Sequence, residues 1–427
     1  MRFARPFAIL FALVALSGCA ASEEVADRPR APRQPEGLTL PIDDARVASV
    51  QLHAGTGENA LPILQMGGGL PIRLAFDMLE GRGRPVSITF YHADRTWERD
   101  LVPAEFMARF HRDDILDYRP SRSTQVEYTH YEYSFPNSTI EFRMSGNYIL
   151  RVHEQGDEDA VLFERPFFVT EQSVPVDLRI DNILVAGRQF SSLQPFVRFR
   201  PNDPTTGVFD YSVCFLRDAL YEQMRCTERP TLEASPDLVF YLGPEETFVP
   251  LPVPFYLSLA DARPGGRIER VERYEVPWQV FVEPDLADLG GSTVSPFLNG
   301  QPRIRSAQGF RGEPDFDAEY VSVRLRLIPP GRQAASGRIG VVGSFSGWQP
   351  RSENILTWNE EEGWYEGNVL LKEGEHEYRY VSGDPLMQRS LDTGMPQLEN
   401  LFTALVYFDD LRQQTDRLIA VQGILTR

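Results

Sequence analysis

Lysine is almost absent from this sequence, and basic charge in general is scarce. Lysine and arginine together number 43, and Lys372 is the only lysine among them. The 61 acidic residues outnumber these and give a net charge of −18. A surface this acidic repels the phosphate backbone, so the sequence excludes a nucleic-acid partner. We interpret the lack of lysine itself as a compositional habit rather than as chemistry.

Long apolar runs and helical periodicity are also missing. No stretch after Phe7–Leu16 reaches the roughly 18 apolar residues that a membrane helix needs. Apolar and polar residues mostly alternate, and 33 prolines and 32 glycines interrupt them, which is typical of short strands joined by turns. Only Leu101–Leu116 has helical spacing, with Pro103 near its start. The sequence therefore predicts an all-β protein.

The N-terminus has the pattern of an export signal. Arginines precede the apolar run Phe7–Leu16, which is too short to cross a bilayer as a mature helix. The run ends in Leu16-Ser17-Gly18-Cys19, which resembles a bacterial lipobox. The resemblance implies that residues 1–18 are a cleaved signal peptide and that the Cys19 thiol carries lipid, which anchors the chain to a bilayer. The alternative is a plain secreted protein with an incidental cysteine.

The residues after Cys19 predict a location and a tether. Ala20 rather than aspartate follows the cysteine, and by analogy with lipoprotein sorting in bacteria with two membranes this favours the outer membrane. We expect the protein to face the periplasm, with exposure at the cell surface left open. Residues 19–41 are polar and rich in proline, so they cannot bury a core and predict a flexible, disordered tether.

Three cysteines are present, and two remain if Cys19 is lipidated. The segments YSVCFLR and YEQMRCTE predict a hairpin centred near Leu220 that places Cys214 opposite Cys226. An oxidising compartment permits a disulfide between them. The turn lacks Gly or Asn-Gly, so two buried free thiols are the alternative. Two cysteines without an adjacent histidine do not predict a metal site.

Turn signals divide the rest of the chain into three predicted β-sandwich domains of the immunoglobulin-like type. The first covers residues 42–172 and contains about seven short strands. A seam near Ser173–Pro175 opens the second, residues 173–316, which includes a turn-rich loop over residues 285–314. The strand AEYVSVRLRLIPP opens the third, residues 317–427.

Motifs for catalysis are missing from the sequence. Of the six histidines, all but His376 fall in the first predicted domain, and none has the spacing of a known metal motif. Gly343–Gly347 has the outer glycines of a nucleophile elbow but carries Phe345 at its centre. No glycine-rich phosphate loop precedes a helix. The sequence therefore predicts no enzyme, no metal site, no cofactor and no small-molecule substrate.

The third predicted domain contains VVGSFSGWQP and GWYEGNVLLKEGEHEYRYV. These segments resemble the glycogen-binding modules, an early-set sandwich family. The resemblance implies that Trp348 stacks on a sugar ring and that Arg379 contacts the sugar. The family's second stacking tryptophan is missing, since its neighbourhood reads Gly383-Asp384-Pro385-Leu386. We therefore expect a shared early-set fold, and a surface or periplasmic carbohydrate-binding lipoprotein is the alternative function.

A second resemblance spans nearly all of the chain after the signal. In the first predicted domain it rests on LPILQMGGGLPIRLAFDML, YHADRTWERD, YRPSRSTQVEYTHYEYSFPN and SGNYILRV. Near the C-terminus it continues in LTWNEEEGWYEGNVLLKEG and LENLFTALVYFDDLRQQTDRLIA, with a departure at Leu398–Leu401. These segments resemble the plug proteins of the type IX secretion system.

This second resemblance implies a protein partner rather than a substrate. It implies a non-enzymatic outer-membrane lipoprotein that plugs the periplasmic end of the large translocon β-barrel when idle, since so wide a barrel encloses an aqueous pore. Loops of the first domain, among them His92–Asp100, Arg119–Thr124 and Pro136–Thr139, are predicted to meet the barrel because they are rich in residue types enriched at interfaces. The predicted contact residues are His92, Arg95, Trp97, Arg119, Arg122 and Asn137. The tyrosines Tyr128, Tyr131, Tyr133 and Tyr148 are expected in the sandwich core instead.

Overall fold

The computed structural model describes residues 38–203, 205–231, 236–291, 296–307 and 312–426, all within one compact unit. The predicted signal peptide, Cys19 and the tether as far as residue 37 lie outside the described residues. Leu38 is already buried, and Asp43 forms ion pairs with Arg165 and Arg351. Packed structure therefore begins before residue 41, the predicted end of the tether. Among the described residues, no helix has the length and apolar character of a membrane span.

The first sandwich packs a four-stranded sheet against a five-stranded sheet. The four-stranded sheet has the order β1 (Val47–Ala54), β3 (Ile72–Met78), β7 (Thr129–Phe135), β6 (Asp117–Pro120). The five-stranded sheet has the order β2 (Ile63–Gln65), β9 (Val161–Thr170), β8 (Gly146–Glu154), β4 (Val86–Ala93), β5 (Arg112–Ile115). Alternate residues of each strand point into the core, where Phe76 stacks on Tyr131 and meets the edge of Phe163.

The second sandwich joins strands from the middle of the chain to its C-terminal hairpin. One sheet has the order β10 (Val176–Ile183), β11 (Ser192–Phe199), β14 (Leu238–Tyr241). The other has the order β13 (Arg225–Thr227), β12 (Tyr211–Arg217), β25 (Leu401–Asp410), β26 (Thr415–Leu425). Phe402, Ala404 and Val406 alternate along β25 into the same core as Phe215 and Phe240.

The third sandwich takes its strands from both sides of the predicted boundary at residue 316. Its six-stranded sheet follows the order β16 (Ile268–Glu272), β17 (Trp278–Val282), β20 (Tyr320–Ile328), β23 (Trp364–Lys372), β22 (Thr357–Asn359), with β18 (Asp285–Leu286) parallel to β20. Its four-stranded sheet follows the order β15 (Phe255–Ser258), β24 (Gly374–Ser382), β19 (Arg303–Ile304), with β21 (Ile339–Gly343) also paired to β24.

Strand pairing in the last two sandwiches therefore departs from the predicted division into residues 173–316 and 317–427. Strands β15 to β19 precede residue 316 but belong to the sheets of the third sandwich: β17 and β18 pair with β20, β15 and β19 pair with β24, and β16 pairs with β17. Strand β25 follows it but pairs with β12 of the second, from Tyr211↔Phe408 to Arg217↔Phe402. The physical reason is that β12 needs a long partner to bury its apolar residues, and β25 supplies one. In the first sandwich, β1 to β9 all fall inside residues 42–172.

Within the described ranges of the chain, helices are few and short. They are α1 (Pro103–Phe106), α2 (Pro314–Asp317) and α3 (Pro385–Leu391), with single 3-10 turns at Val208–Asp210, Tyr221–Gln223, Pro244–Glu246, Pro330–Arg332, Ser344–Ser346 and Ser352–Asn354. The helical spacing of Leu101–Leu116 gives only α1, so that prediction is wrong beyond Phe106. The chain becomes extended at Met107, which bridges to Phe142, and Phe110 points to solvent instead of sharing a buried face with Phe106.

A separate apolar cluster joins the first sandwich to the second. Trp97 and Phe168 of the first sandwich pack in it with Cys214, Leu405 and Tyr407 of the second. The Tyr407 hydroxyl also donates to Asn147 Oδ1 over 2.7 Å. The two sandwiches therefore share a buried interface, and each would expose apolar surface without the other.

Candidate functional site

Two loops at one end of the first sandwich form its exposed tip, residues 102–111 and 136–143. The Ala108 N–H donates to the Glu141 carbonyl oxygen over 2.8 Å, and the Phe110 N–H donates to that of Thr139 over 3.3 Å. These bonds hold the loops side by side over the buried core. Phe110 is 68% exposed and Val102 is 60% exposed. The tip therefore offers apolar side chains to a partner on a fixed backbone.

Asn137 shapes the second loop of the tip. Its Oδ1 accepts hydrogen bonds from the backbone N–H groups of Thr139 and Ile140, over 2.8 and 2.9 Å. Its Nδ2 donates to the Tyr133 hydroxyl over 2.9 Å and to the Ser134 carbonyl. Asn137 is thus exposed, as a contact residue requires, but its polar groups hold the turn.

In the predicted contact loop His92–Asp100, the three predicted contact residues are packed against the rest of the protein, whereas Glu98 and Arg99 are exposed. His92 is buried, and its Nδ1 lies 2.7 Å from Asp100 Oδ1. Trp97 is 7% exposed and belongs to the cluster shared with the second sandwich. Arg95 pairs with Asp416 over 2.7 Å and also with Glu228. These three residues hold the first sandwich together and to the second, which corrects their prediction as surface contacts.

The predicted contact loop Arg119–Thr124 lies against α2. The Arg119 guanidinium carbon sits 4.0 Å from the centre of the Phe316 ring. Arg122 Nε donates to Asp317 Oδ1 over 3.0 Å, and the Arg122 N–H donates to the Phe316 carbonyl oxygen. Arg119 is exposed, whereas the guanidinium of Arg122 already has a partner within the chain. Of the three predicted contact loops, the one at Pro136–Thr139 therefore lies in the exposed tip.

The four tyrosines divide between the core and an interface between domains. Tyr131 and Tyr148 are fully buried in the first core, and Tyr133 packs against it. Tyr128 is equally buried, but its ring meets that of Tyr320 at 5.3 Å. Its hydroxyl donates to the Ala318 carbonyl oxygen over 2.9 Å. Tyr128 thus joins the first sandwich to the third.

A buried ionic cluster lies where Tyr128 meets the third sandwich. Lys372, at the end of β23, donates from Nζ to Asp77 Oδ2 on β3 over 2.6 Å. The Tyr320 hydroxyl donates to the same oxygen over 2.7 Å, and His130 Nδ1 lies 2.7 Å from Asp77 Oδ1. Lys372 and Asp77 are each 1% exposed. The only lysine of the chain therefore forms a buried link between two sandwiches.

Electrostatics fixes the charge state of this cluster. Burial opposes the ionisation of Asp77, but the charges of Lys372 and His130 outweigh it and lower the pKa of Asp77. Burial also opposes a charged His130, yet its bond to Asp77 raises the pKa of that imidazole. Asp77 and Lys372 form a structural link in which the charge of each compensates that of the other.

The predicted sugar-binding residues are engaged with the protein itself. Trp348 is half-buried, and its Nε1–H donates to the Gly300 carbonyl oxygen over 2.9 Å. The Arg379 guanidinium lies 5.7 Å from the centre of the Trp348 ring and donates to Gln397 Oε1 over 2.9 Å. The ring borders a cavity of about 190 Å³ that Arg379 also lines. Carbohydrate binding stays a prediction.

The hairpin predicted around Leu220 is present, and it brings the two cysteines together. Cys214 on β12 and Cys226 on β13 are register partners and form a disulfide. Cys214 is buried in the cluster shared by the first two sandwiches. The bond therefore closes the hairpin beside that interface.

Sequence reasoning missed two features of the site. Phe110 was assigned to a helix, although an exposed Phe between charged residues is a signal for a surface contact. Lys372 was treated as a remnant of composition. The sequence did contain a signal for its role, since Lys372 is the only lysine. A chain that otherwise uses arginine keeps a lysine where a compact ammonium is needed.

Comparison with known proteins places the tip inside a known domain. Residues 47–171 match the family model described as Type 9 secretion system plug protein 1st domain. No curated protein matches the chain at a significant level. Among solved structures, a hypothetical protein from Parabacteroides merdae ATCC 43184 superposes with a TM-score of 0.78 at 20% identity, covering 91% of this chain and 100% of that one. This likeness shows the fold.

Two other solved structures superpose poorly. One is the partial N-terminal region of an enterococcal surface protein, with a TM-score of 0.16 at 7% identity over 94% of this chain and 98% of that one. The other is a Salmonella alpha-2-macroglobulin mutant, with a TM-score of 0.17 at 12% identity over 91% and 24%. Neither likeness carries an argument.

Proposed function

We propose, for a chain whose first domain belongs to the type 9 secretion system plug family, that it closes the periplasmic end of the translocon barrel of that system when no cargo is passing. The match over residues 47–171 carries the proposal, and those residues include both loops of the tip. The role is non-catalytic: the protein fills an opening that would otherwise leak.

The exposure of the tip supports it as the surface that meets the barrel. Phe110 and Val102 are exposed apolar side chains on loops that hydrogen bonds fix in place. The other predicted contact loops are occupied by the second sandwich and by α2. A preorganised apolar tip loses little entropy when it binds, which suits a stopper that must seat and release repeatedly.

In this proposal the acylated Cys19 holds the protein at the outer membrane, facing the periplasm. Leu38, the first described residue, is already buried. The residues between Cys19 and Leu38 can span tens of Å when extended, at about 3.3 Å per residue. That reach lets the tip engage a barrel in the same membrane while the lipid stays inserted.

A pull-down from outer-membrane extract tests the proposal with the tagged full chain. We expect the wild-type protein to recover a large β-barrel protein, and we expect Phe110→Asp to lower that recovery at least about tenfold, as for a central apolar contact. Phe209→Asp is the matched control, because Phe209 is 73% exposed and lies in the turn before β12 of the second sandwich, outside the two loops of the tip. Its recovery should equal that of the wild type.

Two outcomes would count against this proposal. If the wild-type chain recovers no large barrel protein, the plug role is rejected. If Phe110→Asp and Phe209→Asp recover the barrel equally well, the role stands but the tip is not its contact surface. Thermal melting of both variants checks that each is folded, since both substitutions are at exposed positions.

A further inference from the structure

Three potential metal ligands meet on the outer face of the first sandwich. His130 and Glu132 are two residues apart on β7, so both side chains leave the sheet on the same side. Asp315 of α2 approaches them from the segment that leads into the third sandwich. One ligand atom from each residue lies within 4.8 Å of the others.

His130 is already oriented as metal-binding histidines are. It is 4% exposed, and Asp77 Oδ1 holds its Nδ1 at 2.7 Å, which leaves Nε2 as the free ring nitrogen. Within the described part of the chain, Nε2 has no hydrogen-bond partner. The nearest carboxylate oxygen, Glu132 Oε1, is 3.5 Å away. A buried, unpartnered nitrogen aimed at two carboxylates is the observation that points to a ligand.

A cation already occupies the space between the carboxylates. Arg73 Nη2 lies 3.0 Å from Glu132 Oε1 and 3.7 Å from Asp315 Oδ2. The Arg73 side chain is 41% exposed, so it can swing into solvent without opening the core. The site therefore selects positive charge, and its present occupant is held only at the surface.

We propose that His130 Nε2, Glu132 and Asp315 bind a divalent first-row transition metal, with Zn²⁺ as the probe, in place of the Arg73 guanidinium. One imidazole and two carboxylates with water in the remaining position are a ligand set that Zn²⁺ accepts. Binding takes the neutral imidazole, so any proton on Nε2 passes to solvent. Asp77, charge-balanced by Lys372, serves as the residue that positions the imidazole.

The metal would tie two parts of the chain together. His130 and Glu132 belong to the first sandwich, whereas Asp315 belongs to α2, directly before β20 of the third. Phe316 packs edge-on against the His130 ring at 5.1 Å, so the segment is already seated there. Metal binding therefore strengthens an existing contact between domains rather than creating a new one.

Isothermal titration of the full chain with Zn²⁺ tests the site, with the visible spectrum of bound Co²⁺ as a second readout. We expect one equivalent to bind. Asp315→Asn should weaken binding at least about tenfold, because it removes a charged ligand but keeps its shape. Arg73→Ala should tighten binding several-fold, because it removes the competing cation. Asp181→Asn and Arg179→Ala are matched controls in an exposed ion pair on β10 and should change nothing.

The opposite sign of the two effects makes the test sharp. A structural defect would not tighten binding on removal of Arg73, and general adsorption to the acidic surface would tighten equally in Arg179→Ala, which removes the same charge. The proposal is overturned if the wild type binds no single equivalent, or if Asp315→Asn and Arg73→Ala leave the affinity unchanged. Asp315→Asn keeps the backbone carbonyl that Lys372 and Tyr128 contact, so the variant should fold.

Discussion

Lys372 shows how much one side chain can fix in this protein. Its ammonium neutralises Asp77 across an interface formed by residues 295 positions apart in sequence. It also lies 4.1 Å from the centre of the Tyr128 ring, so the same charge contacts an aromatic face of the first sandwich. Arginine, longer and planar, would not place a single donor in the same space.

Replacing Lys372 with methionine should destabilise the protein strongly. The substitution keeps the volume but leaves Asp77 buried without its cation, which costs about 3–5 kcal/mol in comparable pairs. Urea unfolding of the full chain measures this loss. The double variant Asp77→Asn/Lys372→Met removes both charges and should recover much of it. A double variant as unstable as the single one would show that packing, rather than the unpaired charge, is the cause.

Glu377 makes stability depend on pH. Burial raises the pKa of this carboxyl to about 7, with the attraction of Arg379 opposing the rise. Between the unfolded value near 4.5 and 7, the folded state keeps a proton that the unfolded state has lost. Stability should therefore fall as the pH rises through this range, by about 3 kcal/mol for this group.

The matched variant Glu377→Gln tests that pH dependence. It should flatten this part of the stability curve and leave the protein more stable than wild type above pH 7, because no buried charge forms. Urea midpoints between pH 5 and pH 8 give the comparison. Equal slopes for both proteins would contradict the assignment to Glu377.

At the scale of elements, the hairpin of β12 and β13 is the part of the fold that the local sequence predicted best. The sequence around Leu220 predicted the hairpin and the position of Cys214 opposite Cys226, but it left open whether the two thiols are bonded, and the structure contains the disulfide. Alternation likewise predicted buried strands such as β7, whose core residues are Tyr131 and Phe135. Information confined to neighbouring residues was enough for these elements.

Loss of the disulfide should destabilise the hairpin and the interface beside it. Cys214 and Cys226 are 12 residues apart, and closing a loop of this size is worth about 3 kcal/mol in the chain-entropy treatment. Cys226→Ser should therefore lower the thermal midpoint under non-reducing conditions. Adding reductant should lower the midpoint of the wild type but leave that of the variant unchanged. A wild type insensitive to reductant would contradict this role of the bond.

Elements whose pairing or burial depends on residues distant in the chain could not be predicted from the sequence. The pairing of β12 with β25 joins residues such as Cys214 and Leu405, and no local pattern states which strand will fill an open edge. The burial of Trp97 follows from the second sandwich lying against it, although its own loop is polar and charged. For the same reason, only the structure distinguishes the loops that are exposed from those that are buried.

At the scale of the whole molecule, the three sandwiches behave as one unit because the interfaces between them are buried like the core of a single domain. The cluster around Trp97 and Tyr407 and the ion pair of Asp77 with Lys372 each cross a domain boundary. Residues 38–172 expressed alone should therefore melt lower than the full chain and bind a hydrophobic dye, since Trp97 and Phe168 lose their cover. Equal melting temperatures without dye binding would show that the first sandwich is independent.

The path of the chain through the second sandwich also determines when the protein can mature. Strand β12 is made well before its partner β25, which starts at Leu401. Until that segment arrives, the unpaired edge of β12 is open to aggregation and to proteases. A chain truncated before Leu401 cannot close the sheet. A copy that lacks β25 therefore keeps an open strand edge, which quality control can recognise.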